Sequence, residues 1–313
     1  MPHLVEANGQ GVPGQSHHWT PGQRLRHLLQ RDGILVAPGV YDGYSARIAH
    51  EVGFDCIYMT GAGTCASKLG QPDLGLATLN DMREHAEMIA NLNPTIPLIA
   101  DADTGYGGPN MVARTLAQYH RSGVAALHIE DQVTTKRCGH LGGKEVVSLD
   151  VFVARIRAAA QAREAIASDI VIIARTDALQ THSFDEAVRR LQAAFEAGAD
   201  VAFLEGLTSR EEARKVCEML APRPVLLNMV EHGATPSLTP QEAQDLGFKI
   251  IIFPFAAIAP AYDAIKQTFQ LIKKTGRTGL ASDFTPKKLF TIVGLKEATA
   301  IDIAAGGQTY SAV

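Results

Sequence analysis

The segment Lys136-Arg137-Cys138-Gly139-His140 combines residue types that carry out proton transfer. It places a thiol among three side chains that can be cationic, and cationic neighbours lower the pKa of a thiol below its ordinary value of about 8.5. The alternative is a small buried cysteine that only fills space. The polar residues around it and the adjacent glycine favour a loop instead. We therefore predict that Cys138 is an acid or a nucleophile.

Asp101 and Asp103 form a second candidate site. They end an apolar run two residues apart, so the two-residue period of a strand turns both carboxylates to one side. Two like charges there need a counter-ion. Mg²⁺ suits this position because it binds through one or two carboxylates and shares its other positions with water or substrate oxygens. The alternative is that the aspartates only form a turn or cap a helix.

Similar polar residues end the apolar runs that follow along the chain. An arginine among them suits a carboxylate, which it binds through two parallel hydrogen bonds. Further acids would orient water on a metal ion. For the histidine of this set we predict a hydrogen-bonding role in the core. The set that describes a site is His128, Glu130, Arg175, Asp177, Glu205, Asn228 and Glu231.

One repeated pattern indicates which elements position these residues. A short β-branched apolar run is followed by a polar turn and by an Ala-, Leu- and Glu-rich stretch with helical spacing, which is typical of βα units. Buried parallel strands with functional groups at their C-terminal ends predict an α/β protein with a (β/α)8 TIM-type barrel. The predicted strands are residues 34–40, 56–61, 97–103, 126–131, 171–177, 201–206, 224–230 and 249–254.

Helices are predicted over residues 148–167 and over residues 183–197, where Ser183 and Glu186 have the spacing of a capping box. A doubly wound open sheet is the alternative fold, but no GxGxxG motif follows a strand. For domains, we expect a flexible N-terminal tail over residues 1–22, a catalytic barrel over residues 23–280 and a C-terminal helical segment over residues 281–313.

Composition limits the classes of partner. The chain has 313 residues and a net charge of −4, which provides no field directed at nucleic acid or membrane, so we expect a small-molecule substrate. The four cysteines lack CxxC spacing; neither a zinc site nor a disulfide framework is indicated, and a reducing compartment fits. No signal-peptide pattern or membrane-length apolar run is evident, so a cytoplasmic location is expected.

From Pro38 to Leu295 the chain resembles the isocitrate lyase and phosphoenolpyruvate mutase superfamily. The order and spacing of several motifs together carry this resemblance. They are Pro38-Gly39-Val40-Tyr41-Asp42, Tyr58-Met59-Thr60-Gly61-Ala62-Gly63, Pro72-Asp73-Leu74-Gly75, Asp101-Ala102-Asp103-Thr104-Gly105-Tyr106-Gly107, Ile129-Glu130-Asp131-Gln132, the segment from Lys136 to His140, Ala174-Arg175-Thr176-Asp177 and Asn228-Met229-Val230-Glu231.

The resemblance implies a barrel whose mobile loop, carrying Cys138, closes over a 2-oxo or 2-hydroxy carboxylate bound to Mg²⁺, for which Mn²⁺ can substitute. It also implies that C-terminal helices are exchanged between subunits of a homotetramer, a dimer of dimers, with residues 287–305 packed on a partner. The alternative is a helix packed on its own barrel. The implied metal residues are Asp101, Asp103, Asp73 and Glu130, with Glu205 also in the outer shell. The implied substrate-binding residues are Thr60, Gly61, Ala62, Gly139, Arg175, Glu205, Asn228 and Thr235.

Within the superfamily, a cysteine in the closing loop is typical of the carbon-carbon lyases, where it protonates the departing carbanion. The resemblance therefore implies a lyase in which a base removes the 2-hydroxyl proton and the C2–C3 bond breaks. Tyr58 matches the position of the base, although a tyrosine with a pKa near 10 needs a nearby cation for that role. The implied catalytic residues are Cys138, Tyr58, Arg175, His140 and Lys136.

The residues after the cysteine motif bear on the substrate. Methylisocitrate lyases usually have Arg-Pro-Asn-Lys there, whereas this chain has Leu141-Gly142-Gly143-Lys144. Without that arginine a third carboxylate lacks a partner, which favours a dicarboxylate such as 2,3-dimethylmalate, cleaved to pyruvate and propionate. Related oxaloacetate acetylhydrolases carry a serine near the position of Thr235. Oxaloacetate hydrolysis to oxalate and acetate, methylisocitrate cleavage and a non-catalytic binding protein are the alternatives.

Overall fold

All eight apolar runs predicted as strands form strands of one sheet. In the computed structural model, which describes residues 19–310, the strands are parallel and close into a barrel in sequence order, with Leu35 of the first strand opposite Ile250 of the last. The predicted (β/α)8 barrel is confirmed, and the alternative of an open sheet is wrong. The strands are β1 Leu35–Val40, β2 Ile57–Met59, β3 Leu98–Asp101, β4 Ala126–Glu130, β5 Val171–Thr176, β6 Val201–Leu204, β7 Val225–Asn228 and β8 Ile250–Phe253.

Helices connect the strands, and side-chain caps define where several of them begin. They are α1 Pro21–Gln30, α2 Gly43–Val52, α3 Gly61–Thr64, a π-helical turn Cys65–Leu69, α4 Leu79–Ala90, α5 Pro109–Arg121, α6 Leu149–Ala165, α7 Ala178–Thr181, α8 Phe184–Glu196, α9 Arg210–Leu220, α10 Pro240–Asp245, α11 Ile258–Thr275, α12 Pro286–Ile292 and α13 Leu295–Ala304. Both helices predicted from caps are present. Ser183 caps α8, but Glu186 pairs with Arg189 and Arg190 instead of closing the predicted capping box.

Helix α1 corrects the predicted boundary of the N-terminal tail. The helix begins at Pro21, inside the predicted tail, because Thr20 and Gln23 form a capping box and proline occupies the first turn. Leu25 and Leu28 of α1 are buried against residues at the start of the strands. The helix therefore packs at the amino end of the barrel. The rest of that prediction, residues 1–18, lies outside the described residues.

Successive side chains along the strands point alternately into the barrel interior and towards the surrounding helices. Residues such as Ile99, Ile173 and Phe203 belong to an inner cluster, whereas Leu98 and Ile172 belong to the cluster between the strands and the helices. Successive strand side chains point to opposite faces, so the inner set continues two residues further along each strand. That register brings polar residues to the carboxyl end of the barrel interior, where barrel enzymes carry their active sites.

The three C-terminal helices differ from the rest of the molecule in burial. None of α11, α12 and α13 has a buried residue. Large apolar side chains of α11 are exposed to solvent, among them Tyr262, Ile265 and Phe269 at 60%, 51% and 65%. Within residues 19–310, no helix is long and apolar enough to cross a membrane.

Candidate active site

The inward register collects the predicted residues at the carboxyl end of the barrel. Asp101 follows Ile99 by two positions, Arg175 follows Ile173, and Glu205 follows Phe203. Together with residues from the loops they surround a cavity of about 30 Å³. The cavity is lined by Tyr58, Thr60, Ala62, Asp73, Asp101, Cys138, Gly139, His140, Arg175, Glu205, Asn228, Pro254 and Phe255.

Residues 134–144, here called the gate segment, close this cavity. The segment leaves the barrel through a short antiparallel bridge between Gln132 and Val146. The amide of Cys138 donates to the carbonyl oxygen of Asp73 at 3.0 Å, which holds the segment against the barrel. A cavity of about 30 Å³ accommodates about one water molecule. A carboxylate substrate therefore requires the gate segment to move.

Lys136 inserts a positive charge from the gate segment between two aspartates. Its Nζ lies 2.7 Å from Asp73 Oδ1 and 2.6 Å from Asp103 Oδ1, and its side chain is 2% exposed. Burial alone would lower the pKa of Lys136, but Asp103 and the other carboxylates around it raise the pKa well above its ordinary value. Burial raises the pKa of Asp103 to about 7 despite the attraction of Lys136. Lys136 thus occupies the centre of an acidic cluster as a cation.

Strand alternation does not relate Asp101 and Asp103, contrary to the prediction, because the strand ends between them. Strand β3 ends at Asp101, and Asp103 has a φ of 47°, so the backbone has already left the extended conformation. Asp101 lines the central cavity, whereas Asp103 lines an outer cleft next to Lys136. A Cβ on Gly61 would lie 2.2 Å from Asp101 Oδ2. The glycine at position 61 is what allows this carboxylate to approach the backbone of α3.

Arg175 is the cation that the barrel itself supplies. Its Nε donates to Asp177 Oδ2 at 3.0 Å and its Nη2 to Asp177 Oδ1 at 3.1 Å. Its guanidinium lies 3.3 Å from Glu130 and 3.7 Å from Glu205, and it stacks over Phe203 at 5.1 Å. These carboxylates keep Arg175 charged and fix its orientation, which suits a group that binds a substrate carboxylate.

Tyr58 and His128 form a buried pair beneath the cavity. The phenol oxygen lies 2.9 Å from His128 Nε2, and the two rings stack. Burial raises the pKa of Tyr58 well above 10 and lowers the pKa of His128. Both side chains are therefore neutral near pH 7. This state agrees with the hydrogen-bonding role predicted for His128, and it disfavours the phenolate that a basic Tyr58 would require.

The electrostatics of Cys138 differ from the sequence expectation. Burial raises the pKa of this thiol, and the attraction of Arg175 and Lys136 does not offset it. Burial likewise lowers the pKa of His140, so that this neighbour is not a cation near pH 7. Arg137 turns away and donates to the carbonyl oxygens of Gly142 and Gly143. The expected lowering of the thiol pKa is wrong, and Cys138 is a protonated thiol.

His140 completes the rim of the cavity together with two side chains from the barrel. Its Nε2 lies 3.5 Å from Asn228 Nδ2 and 4.0 Å from Glu205 Oε1. Asn228 Nδ2 also donates to Glu205 Oε2 at 2.9 Å. The ring of His140 contacts Phe255 at a centroid distance of 6.1 Å. His140 therefore spans the polar and the apolar walls of the cavity.

Several predicted site residues lie next to the cavity but do not line it. Gly61 supports Asp101, Lys136 and Asp103 lie to one side, and Glu130 lies behind Arg175, where its Oε1 accepts from Gln132 Nε2 at 2.9 Å. Thr235 is buried and is not among the lining residues.

Sequence reasoning missed three residues of the site. Pro254 and Phe255, which line the cavity, directly follow β8, and their position at a strand end was a usable signal. Lys144 binds Asp177. Lys144 is the residue that the Leu-Gly-Gly-Lys and Arg-Pro-Asn-Lys runs have in common, and this was a usable signal.

The available oxygen ligands fit a magnesium ion that keeps part of its water shell. Within residues 19–310, no three His, Cys, Asp or Glu side chains converge as a metal-binding group. Asp73 and Asp101 both line the cavity, within a cluster that is rich in carboxylates. Mg²⁺ is commonly bound through one or two carboxylates while it keeps water and substrate oxygens. The residues present fit that mode of binding and not a cage made only of protein ligands.

Comparison with known proteins identifies the family. Residues 25–273 match the family described as phosphoenolpyruvate phosphomutase. The chain belongs to this family. It is 42% identical to the 2,3-dimethylmalate lyase of Eubacterium barkeri over 260 residues, which cover 83% of this chain and 89% of that protein. The expected superfamily is confirmed.

Solved structures give the same result. A crystal structure of 2,3-dimethylmalate lyase, a PEP mutase/isocitrate lyase superfamily member, superposes with a TM-score of 0.92 at 60% identity, covering 94% of this chain and 98% of that chain. A structure of oxaloacetate acetylhydrolase in complex with the inhibitor 3,3-difluorooxalacetate has a TM-score of 0.91 at 54% identity, covering 93% and 98%. The expected enzyme class, a carbon-carbon lyase, is confirmed by these relationships.

The close approach of Gly139 to the barrel yields a test of gate closure. A Cβ at this position would lie 2.5 Å from Arg175 Nη2 and 2.9 Å from Glu205 Cδ. We expect Gly139→Ala to hold the gate segment away from the cavity and to lower kcat about 100-fold, the scale expected when a catalytic group is misplaced by about 1 Å. Steady-state kinetics measure this effect.

Gly142→Ala is the matched control, since a Cβ at Gly142 meets nothing within 4 Å. This variant should retain the kcat of the parent. Equal activity of the two variants would contradict the closed position of Gly139.

Proposed function

We propose that the protein is a Mg²⁺-dependent lyase that cleaves the C2–C3 bond of a 2-hydroxy dicarboxylate of the 2,3-dimethylmalate type, giving pyruvate and propionate. The observation that carries this proposal is the protonated thiol of Cys138 on a segment that closes over Arg175 and a carboxylate-rich cavity. The cleavage requires loss of the 2-hydroxyl proton and gain of a proton at C3. Bound Mg²⁺ would supply a Lewis acid for the substrate oxygens.

Cys138 is proposed as the acid that delivers the proton to C3. An acid must carry its proton when the bond breaks, and the raised pKa of this thiol keeps it protonated near pH 7. Closure of the gate segment brings the thiol to the cavity and excludes bulk water, which protects the carbanion from other proton sources. Arg175 and the backbone of Thr60, Gly61 and Ala62 would hold the carboxylate end of the substrate.

Tyr58 is proposed as the base, acting together with His128. Burial and Asp101 raise the pKa of Tyr58, whereas Arg175 and Lys136 lower it. Its oxygen is 2.9 Å from His128 Nε2, so Tyr58 would take the 2-hydroxyl proton while it passes its own phenolic proton to the neutral His128. His140 and Lys136 would complete the catalytic set, and Asp73, Asp101, Asp103, Glu130 and Glu205 would surround the metal and its water.

The walls of the cavity favour a dicarboxylate with alkyl groups over a tricarboxylate. Pro254 and Phe255 provide an apolar wall. Leu141 of the gate segment is 46% exposed, and Gly142 follows it without a side chain. A third carboxylate would therefore lack the arginine that methylisocitrate lyases usually carry at the position of Leu141. Methylisocitrate is therefore the weaker candidate substrate.

Oxaloacetate hydrolysis to oxalate and acetate is the second candidate. It is favoured by the similarity to oxaloacetate acetylhydrolase, with a TM-score of 0.91 at 54% identity. Thr235 was expected to separate the two activities. Thr235 does not line the cavity. Its position therefore does not help to distinguish a lyase from a hydrolase.

A substrate panel tests the proposal. The protein and Mg²⁺ are incubated with 2,3-dimethylmalate, methylisocitrate and oxaloacetate, and pyruvate and oxalate are measured separately. We expect pyruvate from dimethylmalate. Oxalate from oxaloacetate would instead establish the hydrolase, and the absence of turnover across the panel would favour a binding protein.

Removal of the thiol tests the acid. We expect Cys138→Ser to lower kcat by about 100- to 10,000-fold, the usual contribution of a general acid, because a hydroxyl is a much weaker acid than a thiol. Fold and melting temperature should stay close to those of the parent. Cys217→Ser is the control, since Cys217 is buried on α9 between the barrel and a helix layer. An unchanged kcat in Cys138→Ser would show that Cys138 is not the acid.

Removal of metal tests the cofactor. After chelation with EDTA and gel filtration, we expect activity to fall to background and to return with Mg²⁺ or, in part, with Mn²⁺, since both prefer oxygen ligands. Circular dichroism should be unchanged by chelation, because Lys136 already compensates Asp73 and Asp103. Full activity in the chelated protein would contradict the metal requirement.

We also propose that the protein is a cytoplasmic homotetramer in which residues 281–313 exchange between subunits around the barrel of residues 23–280. Helix α11 supports this, because it exposes Tyr262, Ile265 and Phe269, and contiguous apolar surface of this kind is typical of protein interfaces. The cytoplasmic location is supported by the four cysteines of the protein, which are all free, as expected in a reducing compartment.

Charge on α11 tests the assembly. We expect Phe269→Lys to shift the protein to a smaller species in analytical ultracentrifugation, because it places a charge in the apolar contact. Met219→Lys is the control, since Met219 is an exposed apolar residue at 42% on α9. A tetramer that is insensitive to Phe269→Lys, or a monomeric parent, would contradict the proposed exchange.

A further inference from the structure

Lys144 is an unusual residue within the gate segment. Its side chain is 1% exposed, although Leu141, Gly142 and Gly143 before it and Glu145 after it are exposed. Burial of an ammonium group is costly unless the group is paired. The pairing of Lys144 therefore determines whether the segment can lie in its closed position.

Two acceptors compensate this ammonium group. Lys144 Nζ lies 2.8 Å from the carbonyl oxygen of Gly139 and 2.5 Å from Asp177 Oδ1. The first contact joins the two halves of the gate segment at the residue that follows Cys138. The second joins the segment to the end of β5. Only the second contact ties the segment to the barrel, so it would be lost if the segment moved away from Asp177.

Asp177 is a fixed partner that also holds Arg175. Its Oδ1 accepts from both Lys144 and Arg175 Nη2, and its Oδ2 accepts from Arg175 Nε. Its own amide donates to Asp131 Oδ1 at 2.9 Å, and Asp131 is held by Arg190 at 3.0 Å. Burial alone would raise the pKa of Asp177, but Arg175 and Lys144 lower it to about 2. The two cations therefore keep this carboxylate ionised in the closed position.

We propose that Lys144 is a positioning residue, which binds Asp177 when the gate segment closes and thereby fixes the peptide next to Cys138 over the substrate held by Arg175. Only the expected effect on kcat rests on the proposed function; the contact between Lys144 and Asp177 does not. Lys144 does not itself line the cavity, although Gly139, which it binds, does. Its effect passes through Gly139 on one side and through Asp177 on the other.

The variant Lys144→Met removes the charge and keeps most of the side-chain volume. The protein should still fold, because Asp177 retains Arg175 as its counter-ion and the segment lies outside the barrel core. Lys144→Arg restores the charge with a different shape. Lys68→Met is the matched control, since Lys68 Nζ also binds one carbonyl oxygen, that of Asp81 at 2.8 Å, and one carboxylate, that of Glu84 at 3.2 Å, but it does so away from the gate segment.

Hydrogen-deuterium exchange of the ligand-free proteins tests the contact without reference to activity. In the parent, the amides of Cys138 and Leu141 are hydrogen-bonded to Asp73 and Cys138, so peptides that cover the gate segment should be protected. We expect about tenfold faster exchange of these peptides in Lys144→Met, with barrel peptides unchanged and with protection retained in Lys68→Met and largely restored in Lys144→Arg. Equal exchange in the parent and in Lys144→Met would overturn the proposal.

Kinetics on the substrate that the panel identifies supply the second measurement. We expect Lys144→Met to lower kcat about 100-fold, the scale of a misplaced catalytic group, while KM changes little because Arg175 and the acidic residues stay in place. A changed KM with unchanged kcat would overturn the positioning role. If the parent turns over no substrate, the proposed function has failed, and the exchange experiment still decides whether Lys144 holds the segment closed.

Discussion

The structure depends on the compensation of buried negative charge at the mouth of the barrel. Burying an unpaired ion costs on the order of several kcal/mol, and Asp73, Asp103 and Asp177 are all buried. The gate segment supplies two of the compensating cations, since Lys136 pairs with Asp73 and Asp103 and Lys144 pairs with Asp177. Closing the segment and neutralising the acidic cluster are therefore one event, and this event carries Cys138 to the cavity.

The same constraint explains why a raised thiol pKa is compatible with catalysis. A nucleophilic cysteine needs a lowered pKa, whereas an acid needs its proton. Burial of Cys138 in the closed gate segment raises the pKa of its thiol, which keeps it protonated, while Arg175 remains charged among Asp177, Glu130 and Glu205. In the proposed mechanism, the proton donor belongs to the gate segment and the anion-binding group belongs to the barrel. This division of roles fits cleavage of a carbon-carbon bond followed by protonation.

Much of the fold and of the site could be predicted from the sequence because both follow from alternation along buried strands. The register that points Ile99 and Ile173 inward also points Asp101 and Arg175 inward. Prediction failed where the chain leaves the strands. Asp103 lies beyond the end of β3 with a φ of 47°, and the burial of Cys138 and Lys144 depends on how a glycine-rich loop folds over the barrel. Such loop packing depends on contacts between distant residues, which no local pattern encodes.

The central claim is that the closed gate segment places the thiol of Cys138 against the carbon that becomes protonated. A crystal structure with Mg²⁺ and an unreactive analogue of 2,3-dimethylmalate measures this directly. The account predicts that Cys138 Sγ lies in contact with C3 of the analogue, within about 4 Å, while a carboxylate of the analogue binds Arg175. A fully bound analogue with the gate segment closed and the sulfur remote from C3 would contradict it.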